Sequence, residues 1–378
     1  METTSASGST APASPSSRLL SIDALRGFDM FWIIGGHELV TTLAEWGDWR
    51  FKDEVDVQLE HVPWEGFHFY DLIFPLFLFL VGAVLPFSLA SMRQKGESTS
   101  RIYRRIVRRT ALLFLLGLLF NQALQFDFEA LRIAGVLQRI ALCYGLAAIL
   151  VTLVGWRGQA LIASAILAGY WALLAFVAAP GHSPADYTKE GNLAGWVDRH
   201  YLPGKIYEAY YGYGDNEGLL STIPAVATAL LGALAGQWLR SGRTPPRKFL
   251  GLLVAGAACL AAGLAWGQVF PIIKNLWTSS FVLVAGGWSL VLLALFYGVI
   301  DVLGFRWWAF FFIVVGCNAI VIYVAPKFVN FDHTARFLFG GLIKHAGTFE
   351  PVARAISILA VKWLILWYLF RQKLFLRV

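Results

Sequence analysis

Charged residues are scarce in this chain. Asp, Glu, Lys and Arg make up 15% of its 378 residues, against about a quarter in soluble globular domains. With 57% hydrophobic residues and a mean hydropathy of +0.61, that scarcity excludes an ordinary soluble enzyme. Cysteine is rarer still. Cys143, Cys259 and Cys317 sit in apolar runs without ligand-like spacing, so neither a disulfide framework nor a thiolate metal site is expected. The P-loop, G-x-S-x-G and dinucleotide-binding signatures are missing. No internal repeat is visible, and no run shows the alternation of a barrel strand.

What the chain has instead is long apolar runs, recurring from Phe28 to Phe370. A bilayer crossing needs about 20 such residues, and helices are the structure that satisfies their backbone internally. The expected fold class is therefore all-α: a polytopic integral membrane protein with about ten transmembrane helices. The expected spans are 27–44, 69–91, 109–125, 134–154, 160–179, 218–239, 249–268, 279–302, 307–325 and 353–370. Residues 1–17, rich in Ser, Thr, Ala and Pro, read as a disordered cytoplasmic tail rather than a cleaved signal. Residues 18–378 read as one transmembrane domain.

The net charge of +7 is explained by topology and does not point to nucleic acid. Arg93, Lys95, Arg101, Arg104, Arg105, Arg108 and Arg109 follow the second span. Placing them inside puts Arg26, Arg157, Arg240, Arg243, Arg247, Arg306, Arg371 and Arg377 inside as well. Both termini are thus expected in the cytoplasm. The opposite face receives longer loops, 45–66, 126–131, 180–217 and 327–350, rich in aromatic and ionisable residues. Loops of such length are more often functional than idle.

Several polar groups stand where a membrane makes them costly. His61 opens the approach to the second span, and Asp71 follows inside it beside Pro75. Imidazole acts as a base or nucleophile near neutral pH, and Pro75 is expected to free a carbonyl near Asp71. A loop histidine and an interfacial cap is the bland alternative. Arg132 and Arg139 share a helix face at the fourth span; outside arginines run against the charge bias, so a carboxylate or phosphate partner is expected. Asp198 and Glu217 lie in the long outer loop with Tyr207, Tyr210, Tyr211 and Tyr213. Aromatics with carboxylates suit sugar recognition, and an interfacial belt explains the aromatics nearly as well. Lys274 and Asn275 open the eighth span, and Asn318 and Tyr323 lie in the ninth. A metal site from His37, Glu38 and His61 has no recognised spacing, and no metal is expected.

These residues resemble a family. Arg18, Ser21, Asp23, Arg26 and Gly27 resemble the first-span signature of bacterial membrane acyltransferases. His61-x-x-Trp64-x-Gly66, then Asp71-Leu72-x-Phe74-Pro75-x-Phe77-x-Phe79-x-x-Gly82, resembles the catalytic membrane domain of heparan-α-glucosaminide N-acetyltransferase and its bacterial relatives. Arg132 to Arg139, Gly195-x-x-Asp198-Arg199, Glu217-Gly218-x-Leu220-x-Thr222, Lys274-Asn275-Leu276-Trp277 and Asn318 to Tyr323 follow in the same order, so the likeness covers nearly the whole chain.

The resemblance implies a membrane enzyme that moves acetyl from cytosolic acetyl-CoA to an amino sugar across the bilayer. It implies His61 as the catalytic histidine with Asp71. Arg132, Gln138, Arg139, Asp198, Glu217, Lys274, Asn275 and Asn318 become expected substrate-binding residues. Arg105 and Arg109 are candidates for the CoA phosphates, although topology alone explains a basic loop. Departures are His37 where the family has Asn, and Asp215-Asn216-Glu217-Gly218 where it has Asp-Pro-Glu-Gly; no counterpart of the animal enzyme's soluble domain is expected. The expectation is an acetyl-CoA-dependent N-acetyltransferase of a bacterial inner membrane. The competing reading is a sugar or glycolipid transporter. Acetyl-CoA, an amino sugar and the bilayer are the expected partners, and a homo-oligomer stays open.

Overall fold

The computed structural model describes residues 19–207 and 212–375. The expected tail 1–17, Arg18, Tyr210, Tyr211 and Arg377 lie outside the described residues. The described chain is helical, with two isolated β-bridges, Glu65–Ile273 and Arg132–Gly204.

The first helix, α1 (Leu20–Phe31), passes through a π-helical segment, Trp32–Gly36, into α2 (His37–Trp46). Gly35 has φ 144°, a conformation glycine reaches without strain. The break exposes backbone, and the Ile34 carbonyl accepts from Lys362 Nζ at 2.6 Å. A short outer helix, α3 (Lys52–Leu59), and a 3-10 turn, Phe69–Leu72, lead into α4 (Ile73–Gln94). Pro75 therefore sits in the first turn of α4. Its missing N–H has no intrahelical partner to lose there, so the carbonyl release expected from it does not arise; the internal proline is Pro86.

Next come α5 (Thr99–Phe120), α6 (Val136–Leu153), α7 (Trp156–Phe176) and the loop helix α8 (Leu193–Tyr201). Then follow α9 (Leu219–Arg240), α10 (Pro245–Trp266) and α11 (Ser279–Phe296), the last continuing as a π segment, Tyr297–Val302. The chain ends in α12 (Ala309–Cys317), α13 (Ala319–Val324), α14 (Phe331–Lys344) and α15 (Glu350–Arg371).

Among the described residues, seven helices are long and apolar enough to cross a membrane. The pair α12–α13, bent by 74° at Asn318, makes an eighth. The expected spans 27–44 and 109–125 are helical but differ in kind. The first is broken at Gly35. The third is the distal half of α5, whose proximal half carries Arg101, Arg104, Arg105, Arg108 and Arg109.

The polytopic helical class holds, and α4 is its axis. Its best window is 72% buried by protein, against 17% for α10, which faces outward. A Cβ on Gly82 would lie 1.8 Å from the Ala229 carbonyl oxygen, so α4 and α9 touch backbone to backbone. Small residues permit that approach where no hydrophobic effect drives helices together.

Candidate active site

The chain from His61 to His68 folds around one carboxylate. Asp71 Oδ1 accepts from His61 Nδ1 at 2.8 Å and from Lys274 Nζ at 3.2 Å. Its Oδ2 accepts from the Val62 and His68 backbone N–H groups at 3.3 and 3.1 Å. Asp71 is buried, whereas His61 keeps about half of its side chain accessible. The carboxylate thus fixes the ring with hydrogen on Nδ1 and the lone pair on Nε2, as an orienting acid does in a triad. Lys274 Nζ stands 2.9 Å from Nδ1 and 3.3 Å from Nε2, because both donors converge on one oxygen. Burial pulls the Lys274 ammonium below its ordinary range, and Asp71 opposes that fall. The two loops are pinned together by Gly66 N donating to the Ile272 carbonyl at 2.8 Å. Tyr70 lies against His61, with ring centroids 4.9 Å apart, and His37 lies against Tyr70 at 5.3 Å.

A second cluster faces the first across the same cavity. Arg132 donates to both Asp215 oxygens, at 2.9 and 2.5 Å, and to Glu217. Its guanidinium lies 4.3 Å from the Tyr207 ring centroid. Burial works against the charge, but the carboxylates override it and hold Arg132 above its ordinary value. Asn121 Nδ2 braces this segment through the Arg132 and Ala134 carbonyls, at 2.7 and 2.9 Å.

Asp198, on α8, stands behind the cluster. It accepts from Leu219 N at 2.9 Å and Asp215 N at 3.2 Å, which caps α9 and fixes the Asp215 loop. Burial pushes its carboxyl up to about 6 against those N–H groups. A raised folded value means that stability from this group is present below about 3.9 and is lost as pH rises through about 6. Wild-type melting temperature should therefore fall by a few degrees between pH 5 and pH 7 relative to Asp198→Asn, whose amide does not titrate. Melting curves in detergent at the two pH values, giving equal shifts in both proteins, would remove Asp198 as the cause.

The cavity holding these groups has a volume of about 770 Å³, within the range of small-molecule sites. His61, Asp71, Arg132, Glu217, Lys274 and Asn275 line it. Gln138, Arg139, Asp198 and Asn318 do not. Arg139 is buried against Ser221 and the Trp277 ring, 4.9 Å from its centroid. Gln138 fills the space beside Gly117 and Gly135. Asn318 sits at the α12–α13 elbow and donates to the Leu374 carbonyl at 3.2 Å. Tyr70, Asn121 and Lys327 also line the cavity, and sequence reasoning did not single them out. Tyr70 had a signal in its place beside Asp71.

A second cavity of about 410 Å³ opens at the other end of α4. Arg26, Arg109 and Arg240 line it with Ser88, Ser91 and Tyr144. Arg109 lies 4.6 Å from the Tyr144 ring centroid, and its buried Nε has no partner among the described residues. Arg105 pairs instead with Glu97 at 3.1 Å, largely exposed. Phe77, Ile140 and Ile320 line both cavities, so one layer of side chains separates them.

Fold and site together define a polytopic helical membrane protein with two polar cavities set back to back, one built around a His–Asp–Lys cluster. A family model described as heparan-alpha-glucosaminide N-acetyltransferase, catalytic, matches residues 18–193. The chain is 27% identical to heparan-alpha-glucosaminide N-acetyltransferase of Homo sapiens, covering 96% of this chain and 60% of that protein. It is 26% identical to the Mus musculus protein of the same name, covering 97% and 61%. The likeness to heparan-alpha-glucosaminide N-acetyltransferases thus runs over nearly the whole of this chain. The chain spans about 60% of the length of these curated relatives.

Proposed function

We propose that this protein is a membrane-embedded acyltransferase that moves an acetyl group from acetyl-CoA to an amino sugar. The observation that carries this reading is the pair of cavities sharing Phe77, Ile140 and Ile320. One holds an oriented imidazole, and the other is lined by three arginines.

In this reading the arginine-lined cavity faces the cytoplasm of a bacterial inner membrane and takes the donor. Arg26, Arg109 and Arg240 meet its phosphates through charge-assisted hydrogen bonds. The acceptor enters the His61 cavity from the opposite face, where Arg132, Glu217 and Tyr207 offer charge, acceptors and an aromatic face to a sugar. The thioester carbonyl is brought to Nε2 of His61. That lone pair either attacks the carbonyl, expelling the CoA thiolate to give an acyl-imidazole that passes its acetyl to the amine, or takes a proton from the sugar ammonium, freeing the amine that then attacks the thioester and expels the thiolate. Lys274 and Asn275 supply donors where the oxyanion forms.

The test uses the purified protein in proteoliposomes, with labelled acetyl-CoA on one side and glucosamine on the other. Label recovered on the sugar, with CoA released in equal amount, is the expected result. No CoA release with glucosamine or a panel of other amino sugars would exclude the reading and favour transport. Replacing Arg109 and Arg240 by Gln should raise KM for acetyl-CoA about tenfold or more, the loss of roughly 1.4 kcal/mol of binding, with KM for glucosamine unchanged.

A further inference from the structure

Asp29 has no place in the chemistry above and lines neither cavity, yet along α1 it falls between residues that line one and residues that line the other. On α1, Ile22, Asp23 and Arg26 line the arginine cavity, and Met30 and Ile33 line the His61 cavity. Asp29 falls between these sets. Its spacing from Ile22 and Arg26, seven and three residues, puts it on their face of the helix. The residue is wholly buried, and neither carboxyl oxygen has a hydrogen-bond partner among the described residues.

An ionised carboxyl without donors in such surroundings costs several kcal/mol, and an intramembrane acid is by default a functional group. Its surroundings offer little else to titrate. The charges near it on α1 are Arg26, one turn away, and Asp23, which Arg26 contacts at 3.4 Å. The Tyr297–Val302 segment brings Asp301, which accepts from Ser21 N at the start of α1. α11, α12 and α13 carry no Asp, Glu, Lys, Arg or His, and α4 carries only Arg93, near its far end.

We propose that Asp29 is a proton-binding site in the partition, passing one proton from the His61 cavity to the arginine cavity in each acyl transfer. This rests on the acyltransferase reading. Acetylation of an ammonium forms the N–C bond, breaks the C–S bond and frees two protons from nitrogen. One ends on the CoA thiolate, and one goes to water. Nitrogen loses its protons in one cavity, and sulfur departs toward the other. A proton therefore crosses the partition, or the thiolate draws one from the donor side.

The two routes differ in stoichiometry. With the relay, each acetyl transferred releases one proton on the acceptor side and none is taken up on the donor side. Without it, two are released on the acceptor side and one is taken up on the donor side. The experiment follows pH-sensitive dyes inside and outside proteoliposomes during turnover of acetyl-CoA and glucosamine, at a pH where the amine is an ammonium and CoA a thiol. Infrared difference spectra of wild type against Asp29→Asn report a protonated carboxyl without any need for turnover.

The expected results are a carboxylic-acid band lost in Asp29→Asn, one proton per acetyl in wild type, and residual turnover at least tenfold slower with the two-and-one pattern in the variant. A two-and-one pattern in wild type, or an unchanged band, overturns the relay. CoA release that never occurs removes the acyltransferase reading and the relay with it. The infrared band then still decides whether Asp29 holds a proton. Asp29→Ala, read by the same band, covers the case in which Asn fails to fold.

Discussion

His61→Ala should lower kcat for acetyl transfer on the order of 10³-fold or more, with KM for acetyl-CoA changed little. The argument is geometric. Among the described residues, His61 is the one accessible imidazole held at Nδ1 by a buried carboxylate, and that hold leaves Nε2 as the reactive lone pair. In the proposed reading, substrate recognition falls instead to the Arg132 cluster and the second cavity, which His61 does not line. Asp71→Asn should cost nearly as much, because an amide no longer favours the Nδ1–H tautomer. Initial rates over a grid of both substrates check this, and they also separate the two routes. Parallel double-reciprocal lines mark an acyl-imidazole, and intersecting lines mark direct transfer. Full activity in His61→Ala would displace the site from this cavity.

Arg132→Ala should be the most destabilising single change in the His61 cavity, at about 3–5 kcal/mol. Exposed ion pairs are worth about 0–1 kcal/mol. This pair is different in kind, with Arg132 20% accessible, Asp215 0% and Glu217 9%. Truncation leaves two carboxylates without their guanidinium. The loss should therefore shrink when Asp215→Asn and Glu217→Gln are added, since the uncompensated charge is then gone. Arg132→Lys keeps the charge but cannot span Asp215 with two parallel bonds, and should fall between wild type and Ala. Unfolding in detergent across this set provides the coupling energies. Additive losses would mean that the cluster is not one unit.

The parts of this architecture that are local in sequence were the ones legible there. Apolar runs announced the helices, and His61 with Asp71 stood out because one short loop carries both. What a run cannot announce is a break inside it. Gly35 and Asn318 lie in stretches apolar enough to read as continuous, and the bends come from backbone geometry and tertiary packing. Lys274 lies 213 residues from His61; each stands out as a polar group in a costly place, but nothing local in sequence says that the two meet on one carboxylate. Gln138, Arg139, Asp198 and Asn318 hold up the walls rather than line the cavity, because neither a costly polar position nor motif membership distinguishes a contact from its support. Arg26 and Arg240 were read as topology signals, since charge bias explains a basic residue without saying which cavity it enters.

The partition of Phe77, Ile140 and Ile320 has an electrical consequence. If the cavities at the two ends of α4 open to opposite faces, as the proposed reading has them, the insulating layer of the membrane is locally reduced to the depth of these side chains. A potential that elsewhere falls across about 30 Å of hydrocarbon is concentrated there. Charge moved through this layer feels nearly the whole field, about 2.3 kcal/mol per elementary charge at 100 mV. The cell's energised state thereby becomes part of the driving force for whatever charge crosses that partition.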